Sequence, residues 1–199
     1  MKPVKQYETE VRFNIPDPES FREMVENLGC ELVREHIFRD DYFMPDGITW
    51  NSAEKSMRMR VWELPKVSCE VYLAKQEIKE IKGMWVKRSI YAEGKRKLFE
   101  GSEEACRETL ADMGYEYVYS IYKKHGWVWQ NKKLGLEFCA EDTDLLGWTG
   151  EMELVGTDLV QVKKQVKKHQ DLLGISDDQI SYKPIAQLIE EKIGWQSQT

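Results

Sequence analysis

The sequence predicts an α+β fold in which roughly eight antiparallel strands are covered on one face by three to four helices. Three observations predict it. In Tyr7-Glu8-Thr9-Glu10-Val11-Arg12-Phe13 the strand period of two puts Glu8, Glu10 and Arg12 on one face and the less polar residues on the other. The same division recurs in Ser56-Met57-Arg58-Met59-Arg60-Val61 and in Glu151-Met152-Glu153-Leu154. Between such strands lie segments of helical period bounded by capping residues.

A first strand over about residues 5–14 runs into a helix. Asp17 is its N-cap, Pro18 its first position, and Phe21, Met24, Val25 and Leu28 its apolar stripe, ending at Gly29. His36 to Phe43 reads as a strand that stops at Pro45-Asp46-Gly47. Ser56 to Glu63 and Ser68 to Gln76 form two more around Leu64-Pro65-Lys66, and Trp85 to Ala92 is the next. Aligning Gly114 with Gly29 also aligns Ser102 with Asp17, so a second helix of equal length is expected. Helix termination rules give the same match without duplication of the chain. Tyr115 to Lys124, Trp127 to Gln130, Leu134 to Ala140 and Trp148 to Val155 supply the remaining strands. Helices over about 158–173 and 185–193 complete a single domain spanning 1–199.

Length and charge bound the function. A chain of 199 residues can bury a sizeable core as one domain. No apolar run approaches the roughly 20 residues of a bilayer span and no secretory segment follows Met1, so a cytoplasmic protein without membrane contact is expected. Cys30, Cys69, Cys106 and Cys139 are far apart and read as buried thiols. A formal charge of -6 argues against a nucleic-acid partner, although it does not oppose a small anion held locally.

The charged strand faces either meet bulk water on an open sheet or line the inside of a barrel, and patterning alone allows both. The signs are nevertheless segregated. Glu8, Glu10, Glu151 and Glu153 come from the two ends of the chain, whereas Arg58, Arg60, Lys75 and Lys123 come from the middle. Carboxylate pairs brought together repel unless a cation joins them, and such oxygen ligands suit Mg²⁺ or Mn²⁺. Arg12, Arg58, Arg60 and Lys75 opposite that cation would hold a polyphosphate chain through forked donors and compact charge.

These residues carry a family resemblance. Glu8-Thr9-Glu10-Val11-Arg12 resembles the ExExK signature of the CYTH superfamily, the triphosphate tunnel enzymes that include class IV adenylyl cyclases and thiamine triphosphatases. Asp40-Asp41-Tyr42-Phe43 is similar to the family's DxYF, Arg58-Met59-Arg60 to its RxR, Leu73-Ala74-Lys75 to its phosphate-binding Lys strand, and Glu151-Met152-Glu153 to its closing ExE. Glu141 before Gly147 resembles its LDxVxxLG acid, and Ile180-Ser181-Tyr182 its SY element. The resemblance implies a closed antiparallel eight-stranded β-barrel, a triphosphate tunnel, with helices outside and Mg²⁺ or Mn²⁺ as cofactor. It implies Glu8, Glu10, Glu141, Glu151 and Glu153 as metal-side carboxylates, Arg12, Arg58, Arg60, Lys75, Arg88 and Lys123 as phosphate ligands, and Glu10 and Arg12 as catalytic.

Three departures qualify that transfer. Arg12 replaces the usual Lys and cannot change protonation state. The RxExE strand is poorly kept, since Arg88 is followed by Ile90 and Ala92, or in a second register by Tyr91, Glu93 and Lys95. Lys123-Lys124-His125 stands where the family has KxR, so an imidazole replaces a guanidinium. His36, His125 and His169 are read as non-ligands, with His125 the one to test. The seven Trp are read as packing residues and Val162 to Lys168 as a solvated helix face. The first-choice function is metal-dependent hydrolysis of a nucleoside, thiamine or inorganic triphosphate. Conversion of ATP to cyclic AMP and pyrophosphate, and polyphosphate binding without turnover, are the alternatives; a homodimer is left open.

Overall fold

The structure, a computed structural model, describes residues 7–48, 50–81, 84–91 and 94–195. The expected strand positions 5 and 6, and Ala92 and Glu93 of the RxExE comparison, lie outside them. Among the described residues the order is β1 (Tyr7–Asn14), α1 (Pro18–Asn27), β2 (Glu31–Pro45), β3 (Lys55–Leu64), β4 (Ser68–Ile81), β5 (Met84–Ser89) and β6 (Lys95–Gly101). Then follow α2 (Glu103–Asp112), β7 (Tyr115–Asn131), β8 (Leu136–Thr143), β9 (Gly147–Gly156), α3 (Leu159–Leu173), β10 (Ile180–Ser181) and α4 (Ile185–Ile193).

Eight of the strands pair antiparallel in a ring, β1-β5-β4-β3-β2-β7-β8-β9 and back to β1. The chain ends meet where Glu10 lies opposite Glu153 and Arg12 opposite Glu151. On its other edge β1 meets β5 with Glu8 opposite Lys87. β6, not anticipated from the sequence, continues the line of β5 along β4: Ser89 faces Gln76 and Lys95 faces Ala74, with residues 90–94 between them. The segments expected as two strands around His125 are one long strand, β7, because Gly126 stays paired with His36 on one side and Glu141 on the other.

The helices begin and end as their caps dictate. Asp17 accepts from Ser20 N at 3.1 Å and Ser102 from Ala105 N at 3.2 Å. Gly29 and Gly114, at φ 77° and 76°, adopt the left-handed conformation that stops both helices at equal length.

The apolar strand phases face outward beneath these helices. Val11, Phe13, Trp129, Phe138 and Met152 pack with Val25 of α1 and Val162 and Val166 of α3. Phe43, Met57, Met59, Cys69 and Val71 pack with Cys106 and Leu110 of α2. The tip of the Phe13 ring lies against Gly150, where an added Cβ would sit 2.0 Å from Cζ. α4 is placed differently: Ala186 and Ile189 pack on Tyr42, Tyr119 and Ile121, which share the inner phase of β2 and β7. It therefore stoppers one end of the ring. No helix among the described residues is long and apolar enough to cross a membrane.

Candidate active site

Burying the apolar phase outside forces the charged phase inward, and the two walls enclose a cavity of about 490 Å³. Glu8 and Glu10 of β1, Glu141 of β8, and Glu151 and Glu153 of β9 line its acidic side. Asp40, Arg58, Arg60, Lys95 and Lys123 line the rest, with His36, Phe38 and Trp62.

On the acidic side every strand contributes a tie. Lys87 donates to Glu10 Oε2 at 2.9 Å and pairs with Glu8. Arg12, 1% exposed, lies behind this wall, bonded to Glu151, 3.4 Å from Glu10 and 3.9 Å from Glu141, and donating to Thr149 at 3.2 Å. Burial pushes the Glu10 carboxyl up, but Lys87 and Arg12 outweigh it and hold the group below its usual range. Glu141 meets Lys123 Nζ at 2.5 Å and His36 Nε2 at 2.9 Å. Its carboxyl is likewise depressed, Lys123, His36 and Arg12 overcoming burial.

On the basic side Asp40 organises two guanidinium groups. Arg60 bonds both its oxygens and Arg58 Nη1 reaches Oδ2 at 3.2 Å. Burial opposes ionisation of Asp40, yet Arg60 and Arg58 hold its carboxyl at about 2. Arg60 stacks over Phe38 at 3.9 Å, and Phe38 packs against Trp62 at 4.7 Å. Lys95 has its Nζ 4.4 Å above the Tyr72 ring and no carboxylate partner among the described residues. Burial, then Arg58 and Arg60, press its ammonium down to about 7.

Of the residues singled out from the sequence, Glu8, Glu10, Arg58, Arg60, Lys123, Glu141, Glu151 and Glu153 thus converge on one cavity. Three others do not reach its surface. Arg12 is sealed behind Glu10 and Glu151. Lys75 shares its strand phase with Cys69 and Val71 of the outer core, so it is exposed outside while Ala74 and Gln76 face inward. Arg88 shares the face of Val86 and pairs with Glu77 at 2.6 Å, leaving Lys87 and Ser89 inside. His125, expected to be the histidine of interest, packs on Trp127 and Trp148 away from the cavity; His36 is the one on its wall. Asp40, Lys87 and Lys95 were also missed as site residues. Strand phase would have flagged Lys87, which alternates with Val86 and Arg88.

The family resemblance implies a divalent cation, and the donor set fits one in part. Cys139, Glu141 and Glu151 offer ligand atoms within 4.8 Å of one another. However, Glu141 and Glu151 are already bonded to cationic side chains, and burial, with Glu141 nearby, pushes the Cys139 thiol up to about 12, so it stays a soft neutral donor. Glu153 is the better candidate. Although the residue is exposed, partial desolvation at the cavity and the charges of Glu8 and Glu10 push its carboxyl above the ordinary 4.5 against the opposing charge of Lys87. A carboxylate without an ion-pair partner among the described residues suits a hard cation.

No family model and no curated protein sequence matches the chain. Solved structures do. A conserved hypothetical protein from Pyrococcus furiosus superposes at TM-score 0.67 with 20% identity, covering 91% of this chain and 99% of the other. A candidate adenylate cyclase from Vibrio parahaemolyticus superposes at 0.66 with 14% identity over 94% and 99%. The candidate adenylyl cyclase HpAC1 from Hippeastrum, described as having a dominant triphosphatase activity, superposes at 0.64 with 14% identity over 95% and 96%. The chain shares the fold of these proteins.

Proposed function

We propose that the ring takes up the triphosphate end of a small molecule and hydrolyses its terminal phosphate. The observation that carries this reading is the convergence of Arg58, Arg60 and Lys95 on one wall of a cavity whose facing wall holds Glu8, Glu10, Glu151 and Glu153. Guanidinium forks match phosphate oxygens, and Asp40 fixes the aim of both before substrate arrives. Lys123 adds a compact charge beside Glu141. A divalent cation, Mg²⁺ or Mn²⁺, held on the Glu153 side of the cavity would neutralise charge on the phosphate oxygens. Glu10, kept ionised by Lys87 and Arg12, accepts a hydrogen bond that orients the attacking water; a lone pair of that water forms the new bond to phosphorus as the bridging P–O bond breaks, its electrons leaving on the shorter phosphate chain, and the water's proton passes to solvent or to the departing oxygen.

A second reading, cyclisation of a nucleoside triphosphate, is favoured by Phe38 and Trp62 on the cavity wall, where a base could stack. Incubation with ATP, thiamine triphosphate and tripolyphosphate, each with Mg²⁺ or Mn²⁺, separates the readings by product. Orthophosphate supports hydrolysis, cyclic AMP with pyrophosphate supports cyclisation, and tight binding without product leaves a binding module. Glu10→Gln is expected to lower turnover by on the order of a hundredfold with affinity retained. Unchanged turnover in that variant overturns the assignment.

A further inference from the structure

Two carboxylates two positions apart on a strand, Glu8 and Glu10, point into the cavity from β1. Opposite them β5 supplies Lys87, paired with Glu8 across the strands, bonded to its carboxylate and donating to Glu10 Oε2 at 2.9 Å. The side chains are mostly buried, 20% exposed for Lys87 and 14% for Glu10, so their attraction is weakly screened. The ammonium thus sits where a free cation would have to sit to join the pair. Glu10 is doubly committed, because Arg12 also lies 3.4 Å from it. Glu153 across the β1–β9 junction has no ion-pair partner among the described residues.

The geometry points to Lys87 as a built-in cation that occupies the Glu8–Glu10 pair in place of a metal ion, leaving the cavity room for a single divalent cation on the Glu153 side. Only the second half rests on the triphosphate reading; the occupation of Glu8 and Glu10 by Lys87 does not. A primary ammonium supplies one charge and three donors in a fixed direction but, unlike a metal, cannot be lost to a chelator.

The test uses Mn²⁺ alone, titrated by calorimetry and by the loss of its free-ion paramagnetic resonance signal. Lys87→Met removes the charge and keeps the length. It is expected to bind Mn²⁺ at least about tenfold more tightly than the parent, because two carboxylates are released to the metal. The gain should vanish in Lys87→Met combined with Glu10→Gln. If Lys87→Met is unstable without metal, its melting temperature is expected to rise with Mn²⁺ more than the parent's does. Parent protein saturated with Mn²⁺ and tripolyphosphate should hold one ion per chain. Two ions per chain in the parent, or unchanged affinity and unchanged melting response in Lys87→Met, would overturn the assignment. Failure of tripolyphosphate to bind the parent in excess chelator would sink the functional reading instead, while the Mn²⁺ comparison still decides the role of Lys87.

Discussion

Arg60 meets Asp40 edge to edge, Nε to Oδ1 and Nη2 to Oδ2, both at 2.6 Å. The carboxylate is 4% exposed and the guanidinium 12%, so each is the other's chief replacement for water. Arg58 completes the cluster from two residues away on the same strand. Removing the acid leaves two largely buried cations facing each other and Lys95. Asp40→Asn is therefore expected to cost about 3 kcal/mol of stability. The same variant should be stabilised by tripolyphosphate more than the parent is, since phosphate oxygens would replace the lost carboxylate. Thermal melts with and without tripolyphosphate measure both effects; an equal ligand shift in the two proteins would refute the shared use of these guanidinium groups.

Acid should weaken the fold through the same pair. The Asp40 carboxyl is held at about 2 in the folded protein against an ordinary 3.8. A depressed folded value means that the unfolded chain binds more protons between the two, so stability rises with pH across that window. Its contribution is complete above about 4 and is lost as pH falls toward 2. Denaturant titrations between pH 5 and 2 should show this loss, and Asp40→Asn should show a smaller one.

The inner face of β3 and the outer faces of β4 and β5 give a direct comparison. Arg58→Ala should weaken tripolyphosphate binding by on the order of a hundredfold, the worth of a charge-assisted pair in a partly buried site. Lys75→Ala and Arg88→Ala should change it by less than about twofold, since both side chains lie outside and an exposed pair such as Arg88–Glu77 contributes little. A large effect at Lys75 would mean that β4 turns its other face to the ligand.

That comparison also marks where the sequence was legible. β1, β3 and β9 each alternate strong charges with apolar residues, so the phase, and with it Glu8, Glu10, Arg58, Arg60, Glu151 and Glu153, could be read without coordinates. β4 presents Ala74 and Gln76 inward, two residues with no signature, and a motif match drew attention to Lys75 instead. The buried Cys69 and Val71 in the phase of Lys75 held the contrary information. β6 escaped because its pairing with β4 begins at Lys95, six residues after the last pairing of β5 at Ser89, which hid Lys95. His36 was hidden because its partner, Glu141, lies far along the chain and meets it only across β7, over Gly126.

Lys95 should take up a proton when phosphate binds. Its ammonium is held at about 7 against an ordinary 10.5, by burial, Arg58 and Arg60. A base with a depressed folded value leaves the unfolded chain holding more protons between those limits, so its destabilising effect is present below pH 7 and fades as pH rises to about 10. A polyphosphate placed between Arg58, Arg60 and Lys95 restores the charge and draws a proton from solution. Calorimetry of tripolyphosphate binding at pH 8 in two buffers of different ionisation enthalpy should give an uptake of up to one proton, absent in Lys95→Met. Equal heats in both buffers would count against this role for Lys95.

Gly126 controls the position of His36. It lies between His36 on β2 and Glu141 on β8, and the imidazole passes across it so closely that an added Cβ would sit 2.2 Å from Nε2. Any side chain at 126 must push the ring off Glu141, breaking a buried contact of 2.9 Å and leaving that carboxylate to Lys123 and Arg12 alone. Gly126→Ala is expected to cost about 1–3 kcal/mol, within the range for an overpacked site that also loses a buried hydrogen bond. His36→Ala removes the ring and with it the conflict, so the double variant should be more stable than the sum of the two single losses predicts. Thermal or urea melts of the four proteins measure that coupling. Strict additivity would show that Gly126 is constrained by something other than His36.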